Sequence, residues 1–401
     1  MKPRILLLAL GTFAVGTEGF ALAGLLPTIA GDLHVPVAIA GQLVTAFALV
    51  FALGAPLLAA LTRTWPRRRL LIGALALFSA ASGVAALAPM FAILLVARML
   101  AAVGAALFIP AAVTMATSLA APARRGQALA IVSGGSTAAL ALGVPLGTWF
   151  GAQFGWRATY GLVTALSMLA ALGCLLFLPA VDAPAPVGLR ARRALALQPR
   201  VVLALGVTVL GLLGWFAVYS YIALILRQVT HVQGAALSGM LLAYGLASVV
   251  GNLLGGYAAD RWGPARTVAA SLCGLALALA AVSLLATTIP GALAALVAFG
   301  VAGWMLAPAQ NARLLAMSPD GAAVLVALNS SAVHLGVAGG ATLGAVVIGL
   351  AGPAMLGWVG AICPLLALGV LALGMYGPRR HSASVAPLSV AQQALSQLQE
   401  G

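Results

Sequence analysis

Pro179-Ala-Val-Asp-Ala-Pro-Ala-Pro-Val-Gly-Leu-Arg-Ala-Arg-Arg-Ala-Leu-Ala-Leu-Gln-Pro199 is the longest internal stretch of this 401-residue chain that cannot lie in hydrocarbon. Its prolines, Asp182 and three arginines leave it no continuous apolar face, so it reads as an exposed linker. On both sides of it runs a succession of apolar segments, broken by Pro, Gly or Arg clusters. Each is near the length of about 20 residues that a helix needs to cross a bilayer. Six precede the linker, near 5–28, 39–61, 70–88, 91–118, 128–150 and 158–178, and six follow it, near 201–226, 237–259, 267–288, 291–312, 322–350 and 354–376. A composition that is 63% hydrophobic and 6% charged agrees, being far from soluble usage. The expected fold is an all-α membrane protein of twelve transmembrane helices in two pseudo-symmetric six-helix bundles. Residues 1–178 form the first bundle, 179–200 a cytoplasmic linker, 201–376 the second bundle and 377–401 a cytoplasmic tail.

The net charge of +14 would point to nucleic acid in a soluble protein, but its distribution excludes that partner. All but three of the twenty Lys and Arg fall in alternate inter-span segments or at the termini: Lys2 and Arg4; Arg63, Arg67, Arg68 and Arg69; Arg124 and Arg125; Arg190, Arg192, Arg193 and Arg200; Arg261 and Arg266; Arg313; Arg379 and Arg380. Arg157 and Arg227 fall on the other side, and Arg98 lies within a span. By the positive-inside rule both termini and the linker are cytoplasmic, which needs an even number of spans. Short loops and a single Lys fit a bacterial inner membrane. The first apolar run follows Lys2 and Arg4 like a secretory signal, but it continues past the small-residue site Ala21-Leu22-Ala23 to Ile29 and reads as a retained span. Cys174, Cys273 and Cys363 lie in separate spans without metal-ligand spacing and read as packing residues.

An offset of 197 residues carries Arg67–Arg69 onto Pro264–Arg266, and Gly143 and Gly147 onto Gly340 and Gly344. Two parallel halves of this kind place a transport site at the bilayer midplane between them. Gly256-Tyr-Ala-Ala-Asp260-Arg261-Trp-Gly263-Pro-Ala-Arg266 resembles the cytoplasmic loop motif of the major facilitator superfamily. The resemblance implies a charge lock in which Asp260, Arg261 and Arg266 clamp helix ends in one conformational state, with Gly256 and Gly263 part of the same motif. The first-half copy, Leu61 to Arg69, has Arg63 where the acid belongs.

Three further stretches extend the resemblance across residues 1–378. Leu95-Val-Ala-Arg98-Met-Leu-Ala-Ala-Val-Gly104 resembles the family's fourth-span pattern. Gly143-Val-Pro145-Leu-Gly147-Thr-Trp-Phe-Gly151 resembles its antiporter motif, although small residues there also serve helix packing. Gly16-Thr17-Glu18-Gly19-Phe20 through Gly24-Leu25-Leu26-Pro27 is similar to the first-span signature of twelve-helix drug:proton antiporters, close to the phenicol-resistance and arabinose-type sugar-efflux subgroup. Many relatives carry the acid one position later, where this chain has Gly19, a rotation of about 100° on a helix.

Glu18 is the only acid deep inside a span, because Asp32, Asp182, Asp260, Asp320 and Glu400 fall at span ends, in loops or in the tail. A charge at bilayer depth costs on the order of 2.5–3.5 kcal/mol on insertion scales, so a lone carboxylate marks a site. Glu18 and Arg98 are each expensive alone and cheaper together. Arginine stays protonated, so the proton belongs to Glu18, and proximity to Arg98 in one state only would switch its proton affinity. The alternative is a permanent stabilising bridge. The repeat offset carries these two residues to Trp215 and Ala295, which moves substrate contact to the second half. Phe20, Trp215, Phe216, Tyr219, Tyr221, Trp304, Gln310, Asn311, Asn329 and His334 are its candidates: an aromatic surface with a few hydrogen-bonding groups. Lipid contact or core packing is the competing reading for each, and for His334 a hydrogen-bonded neutral ring.

Paired carboxylates, metal clusters, nucleophile motifs and phosphate-cradling loops are absent from the sequence, which argues against an enzyme and against ATP as the energy source. No cofactor is expected; a proton gradient supplies the energy, and the partners are a small-molecule substrate, protons and the bilayer, with the protein a monomer. A membrane sensor would normally append a signalling domain, for which 377–401 is short. The expected function is proton-coupled efflux of small, largely apolar compounds such as antibiotics, with efflux of sugars or other metabolites as the alternative. The topology has a direct test. With the native cysteines replaced, single cysteines introduced at Gln153 or Gln233 should react with an impermeant maleimide outside intact cells, and one at Arg193 should not. Labelling at Arg193 from outside overturns the orientation.

Overall fold

The computed structural model describes residues 2–62, 64–121, 124–179, 181, 195–318 and 321–376. Arg63, Asp182, Arg190, Arg192, Arg193, Asp320, Arg379, Arg380 and Glu400, with most of the linker and the whole 377–401 tail, lie outside the described residues. The twelve spans are helices: α1 (Lys2–Asp32), α2 (Gln42–Leu61), α3 (Arg67–Ala86), α4 (Phe91–Leu119), α5 (Arg125–Phe154), α6 (Trp156–Phe177), α7 (Pro199–Gln228), α8 (Gly234–Trp262), α9 (Pro264–Leu285), α10 (Ile289–Met317), α11 (Ala322–Ala351) and α12 (Leu356–Tyr376). Several run past the apolar spans read from sequence. α5 begins at Arg125 and ends at Phe154, and α10 continues to Met317. Helical hydrogen bonding does not stop where hydrocarbon stops, so the polar ends stay wound.

Two helices depart from the simple reading. α7 breaks after Tyr219 and resumes at Ile222. In α5, residues Ala139–Gly143 form a π-turn immediately before Pro145. Proline has no N–H and its ring crowds the carbonyl four residues back, so one wider turn relieves the clash while the other backbone groups stay paired. Chain reversals use glycine where φ is positive: Gly155 (85°) between α5 and α6, and Gly263 (90°) before Pro264 opens α9.

The halves repeat not only in helix count but in packing. In the first, α1 packs on α5 and α6, α3 on α4 and α6, and α2 on α4. In the second, α7 packs on α11 and α12, α9 on α10 and α12, and α8 on α10. Each of these first-half contacts has its equivalent six helices later. Close approach depends on small residues. A Cβ at Gly340 would lie 2.5 Å from the Leu213 carbonyl oxygen, and one at Gly104 would lie 2.9 Å from that of Ala74.

The two halves meet chiefly through α2 on α11 and α5 on α8. The hydrogen bonds and ring contacts that cross between them lie at mid-depth or toward the end away from the chain termini. Arg227 donates to the Thr28 hydroxyl (3.1 Å), Thr45 and Thr342 share a hydroxyl bond (3.2 Å), and Phe51 stacks on His334 at 3.6 Å between ring centroids. At the opposite end, Leu57 and Leu61 on α2 and Tyr257, Asp260 and Trp262 on α8 are exposed. Among the described residues, the polar and ring contacts between the halves are confined to mid-depth and to that one end. The double variant Thr45→Cys/Thr342→Cys, in a background without native cysteines, should therefore cross-link under mild oxidation and hold this state. Transport should fall at least tenfold and return on reduction; cross-linking without loss of transport would mean that these helices need not part.

Candidate functional site

Three helices converge on one carboxylate. α1 places Glu18 in the first half, α4 brings Arg98 and α3 brings Ser82, each of them buried, with Arg98 only 1% exposed. Arg98 Nη1 donates to Glu18 Oε1 at 2.6 Å. Ser82 Oγ lies 3.2 Å from Glu18 Oε2 and 2.9 Å from the Phe78 carbonyl, so its single proton serves one acceptor at a time. The Phe47 ring of α2 sits 4.4 Å from the Arg98 guanidinium carbon, a cation–π contact that holds the side chain from the far side. The pair expected from sequence is thus formed. Sequence reasoning missed Ser82 and Phe47, since a serine or phenylalanine within a span is ordinarily packing.

The antiporter-motif glycines of α5 face the same helix. A side chain at Gly143 would collide with that of Thr17, and a Cβ at Gly147 would lie 3.0 Å from Ala21 Cβ. Pro145 follows the π-turn. Small residues here let α5 lie against α1 directly behind Glu18.

The second half supplies a continuous aromatic cluster. Trp215 contacts Trp304 (5.3 Å), Phe216 (5.9 Å) and Phe299 (6.3 Å), while its indole N–H donates to the Tyr244 hydroxyl at 3.0 Å. Tyr219 lies against Phe216 and Tyr244, each at roughly 5 Å. Phe20 of α1 reaches across to Trp304 (5.9 Å) and Tyr219 (6.3 Å), and the Tyr219 hydroxyl donates to the Phe20 carbonyl. Tyr244 and Phe299 were not among the sequence candidates; nothing in the one-dimensional pattern brings α8 and α10 to Trp215.

Gln310, Asn311 and Asn329 form a separate polar group through Thr208. Thr208 donates to Asn329 Oδ1 (2.7 Å), Gln310 donates to the Ala204 carbonyl (2.6 Å) and to Thr208 (3.1 Å), and Asn329 donates to Asn311 (2.9 Å). Tyr221 stands apart from the aromatic cluster, its hydroxyl on the Ala341 carbonyl (2.8 Å). His334 stacks on Phe51 with Nδ1 2.9 Å from the Ser330 carbonyl, a packed ring between the halves. Asp32 is held by Arg157 (2.5 Å) and the Trp156 N–H (3.1 Å) on side chains that are roughly 40% exposed. In the loop motif, Gly256 and Gly263 are partly exposed and Asp260, Arg261 and Arg266 exposed. Among the described residues Asp260 makes no ion pair.

Twelve membrane-length helices in two packing-equivalent halves, with a buried charge pair in one and an aromatic cluster in the other, define a multi-pass membrane transporter. The chain belongs to the major facilitator superfamily, whose family model matches residues 8–243 and 204–399. It is 34% identical to an uncharacterized MFS-type transporter of Bacillus subtilis, YbcL, over 91% of this chain and 94% of that one. It is 34% identical to a chloramphenicol resistance protein of Streptomyces lividans (87% and 90% covered) and 31% identical to a probable sugar efflux transporter of Mannheimia succiniciproducens (90% of each). Among solved structures it superposes on a bacterial homologue of the human lysosomal transporter Spinster, in an inward-facing and unoccupied conformation, with a TM-score of 0.72 at 20% identity over 93% of this chain and 94% of that one.

Removing one member of a buried ion pair strands the other at a cost of about 3–5 kcal/mol, whereas removing both is far cheaper. In purified protein, Arg98→Ala and Glu18→Gln should each lower the unfolding temperature, and Glu18→Gln/Arg98→Gln should recover most of the loss. Additive losses in the double variant would mean that the two charges do not stabilise each other.

Proposed function

We propose that the protein is a proton-coupled exporter of small, largely apolar compounds across a bacterial inner membrane, working as a monomer on the proton gradient. The observation that carries the reading is the Glu18–Arg98 pair: a titratable carboxylate at bilayer depth, held by a charge that cannot itself titrate. Export then follows as an exchange. The halves rock, the pair loosens, Glu18 takes up a proton from one side, and re-pairing with Arg98 expels it on the other as substrate moves the opposite way. The aromatic cluster around Trp215, Trp304 and Phe20 suits flat apolar ligands, and the name of the Streptomyces relative supports an antibiotic of that kind.

The loop motif supplies the counterpart of the contacts between the halves. Among the described residues Asp260 makes no ion pair; in the opposite state it engages the basic helix ends and holds the halves together there. The Gln310–Thr208–Asn329–Asn311 group and the sugar-efflux relative favour a second reading, export of a polar metabolite. Most of that group's hydrogen bonds are already used internally, which places it second.

Substrate-induced proton release from purified protein, followed against pH, separates the roles. Glu18→Gln should abolish release and uphill efflux while leaving substrate binding within about threefold. Arg98→Ala should impair transport by making release the difficult step, and Arg98→Lys should rescue it only in part, because an ammonium cannot reproduce the guanidinium fork. Undiminished release in Glu18→Gln would place coupling on another residue. A susceptibility screen of an efflux-deficient strain across phenicols, dyes and sugars decides the substrate class.

A further inference from the structure

Against Glu18 lies a small cavity of about 10 Å³ lined by Glu18, Ala21, Leu22 and Leu25 of α1 and by Thr159, Tyr160 and Val163 of α6. This is room for the centre of one water molecule, which needs on the order of 10–15 Å³ and two to four polar partners. Tyr160 is 3% exposed, and its hydroxyl has no hydrogen-bond partner among the described residues. Of the buried hydroxyls in that position, it belongs to a residue that lines a water-sized cavity beside a carboxylate, where a water can satisfy it. The Tyr160 ring is fixed by an edge contact to Trp156 at 5.9 Å, and the Thr159 hydroxyl, donating to the Gly147 carbonyl at 2.7 Å, keeps its lone pairs free. The charged groups that act on Tyr160 are Glu18 and Arg98.

The two protonation states of Glu18 need different company. As a carboxylate it already has the Arg98 N–H and the Ser82 hydroxyl as donors. As an acid it must donate a proton, and a guanidinium has no acceptor to offer. Ser82 can accept only by turning its own proton to Phe78. A water in the cavity accepts freely, without displacing Arg98.

We propose that Tyr160 and the wall of this cavity form a water-binding site that accepts the hydrogen bond of protonated Glu18, with Tyr160 as the positioning residue that sets the proton affinity of the site. The proposal rests on the reading of Glu18 as the proton carrier and names the second half of its binding site. The tyrosine stays neutral throughout: the water accepts from Glu18 and donates to the Tyr160 oxygen, and the proton leaves by the same water.

The test is infrared titration of the intact protein in lipid nanodiscs, reading the carbonyl band of protonated Glu18, identified as the band that Glu18→Gln removes. Tyr160→Phe keeps the ring and its packing while deleting the hydroxyl. Because the acid loses its acceptor while the carboxylate keeps both donors, the midpoint should move to lower pH by about one unit, a tenfold loss of proton affinity. A band of a confined water, shifted by exchange into ¹⁸O water in the wild type, should vanish with it. A midpoint that stays in place or moves up overturns the water site. Absence of any titrating Glu18 band in the wild type overturns the proton reading and this proposal together, whereas a Tyr160-sensitive band in a protein whose Glu18→Gln variant still releases protons overturns the coupling role alone.

Discussion

Hydrocarbon offers the backbone no hydrogen-bond partner, and most of this molecule follows from that constraint. Every span is a helix because a helix pairs its own amides. Apolar side chains gain little by leaving lipid for one another, so the helices associate through close fit, and the fit is made by glycine and alanine. The same constraint explains the π-turn before Pro145, where a proline in the spanning region is accommodated by re-pairing the backbone within the helix. It also explains why the packing repeats. Gly143 and Gly147 let α5 lie on α1, and Gly340 and Gly344 let α11 lie on α7. The halves have diverged in nearly everything except the positions where backbones touch.

Polar groups at depth are then exceptions, and each half spends them differently. The first concentrates charge: Glu18, Arg98 and Ser82 at one point where α1, α3 and α4 meet. The second has neutral groups only at the corresponding depth, amides around Thr208 and aromatic rings around Trp215. α1 belongs to both. Phe20 follows Glu18 by two residues, about 200° round the helix, so one face of α1 holds the carboxylate against Arg98 while another lays Phe20 on Trp304 and Tyr219. A rigid helix that loses its ion pair on one face cannot leave the aromatic contact on the other undisturbed. Physical coupling between a proton and a ligand requires such a shared element and no long pathway.

What was legible in the sequence tracks how costly each feature is. Twelve spans were readable because polar residues in hydrocarbon are penalised strongly enough to empty the spans of charge. The pairing of Glu18 with Arg98 was readable for the same reason, each being too expensive alone. Helix ends were less so, since a few polar residues past the bilayer cost nothing either way. Ser82, Tyr160, Tyr244 and Phe299 gave no signal, because serines and aromatic residues in a span are cheap and their partners come from distant helices. Tyr221 and His334 had the same composition-level signal as Trp215 and Trp304, yet three-dimensional packing sets them apart at the contact between halves. The linker and tail charges lie outside the described residues.

The two ends of the boundary between the halves are unequal in chemistry. Where the halves touch, the contacts are modest: a hydroxyl pair, an arginine on a threonine, a histidine stacked on a phenylalanine. Each is individually worth about 1 kcal/mol, so the interface can part at a cost that binding of a ligand or a proton can meet. The opposite end holds exposed charges, Asp260 with Arg261 and Arg266, whose attraction is weak in water and strengthens as they are drawn together and desolvated. A transporter needs two states of nearly equal free energy. Weak contacts at one end against a few conditional charges at the other suit that requirement, because neither set is strong enough by itself to exclude the other arrangement.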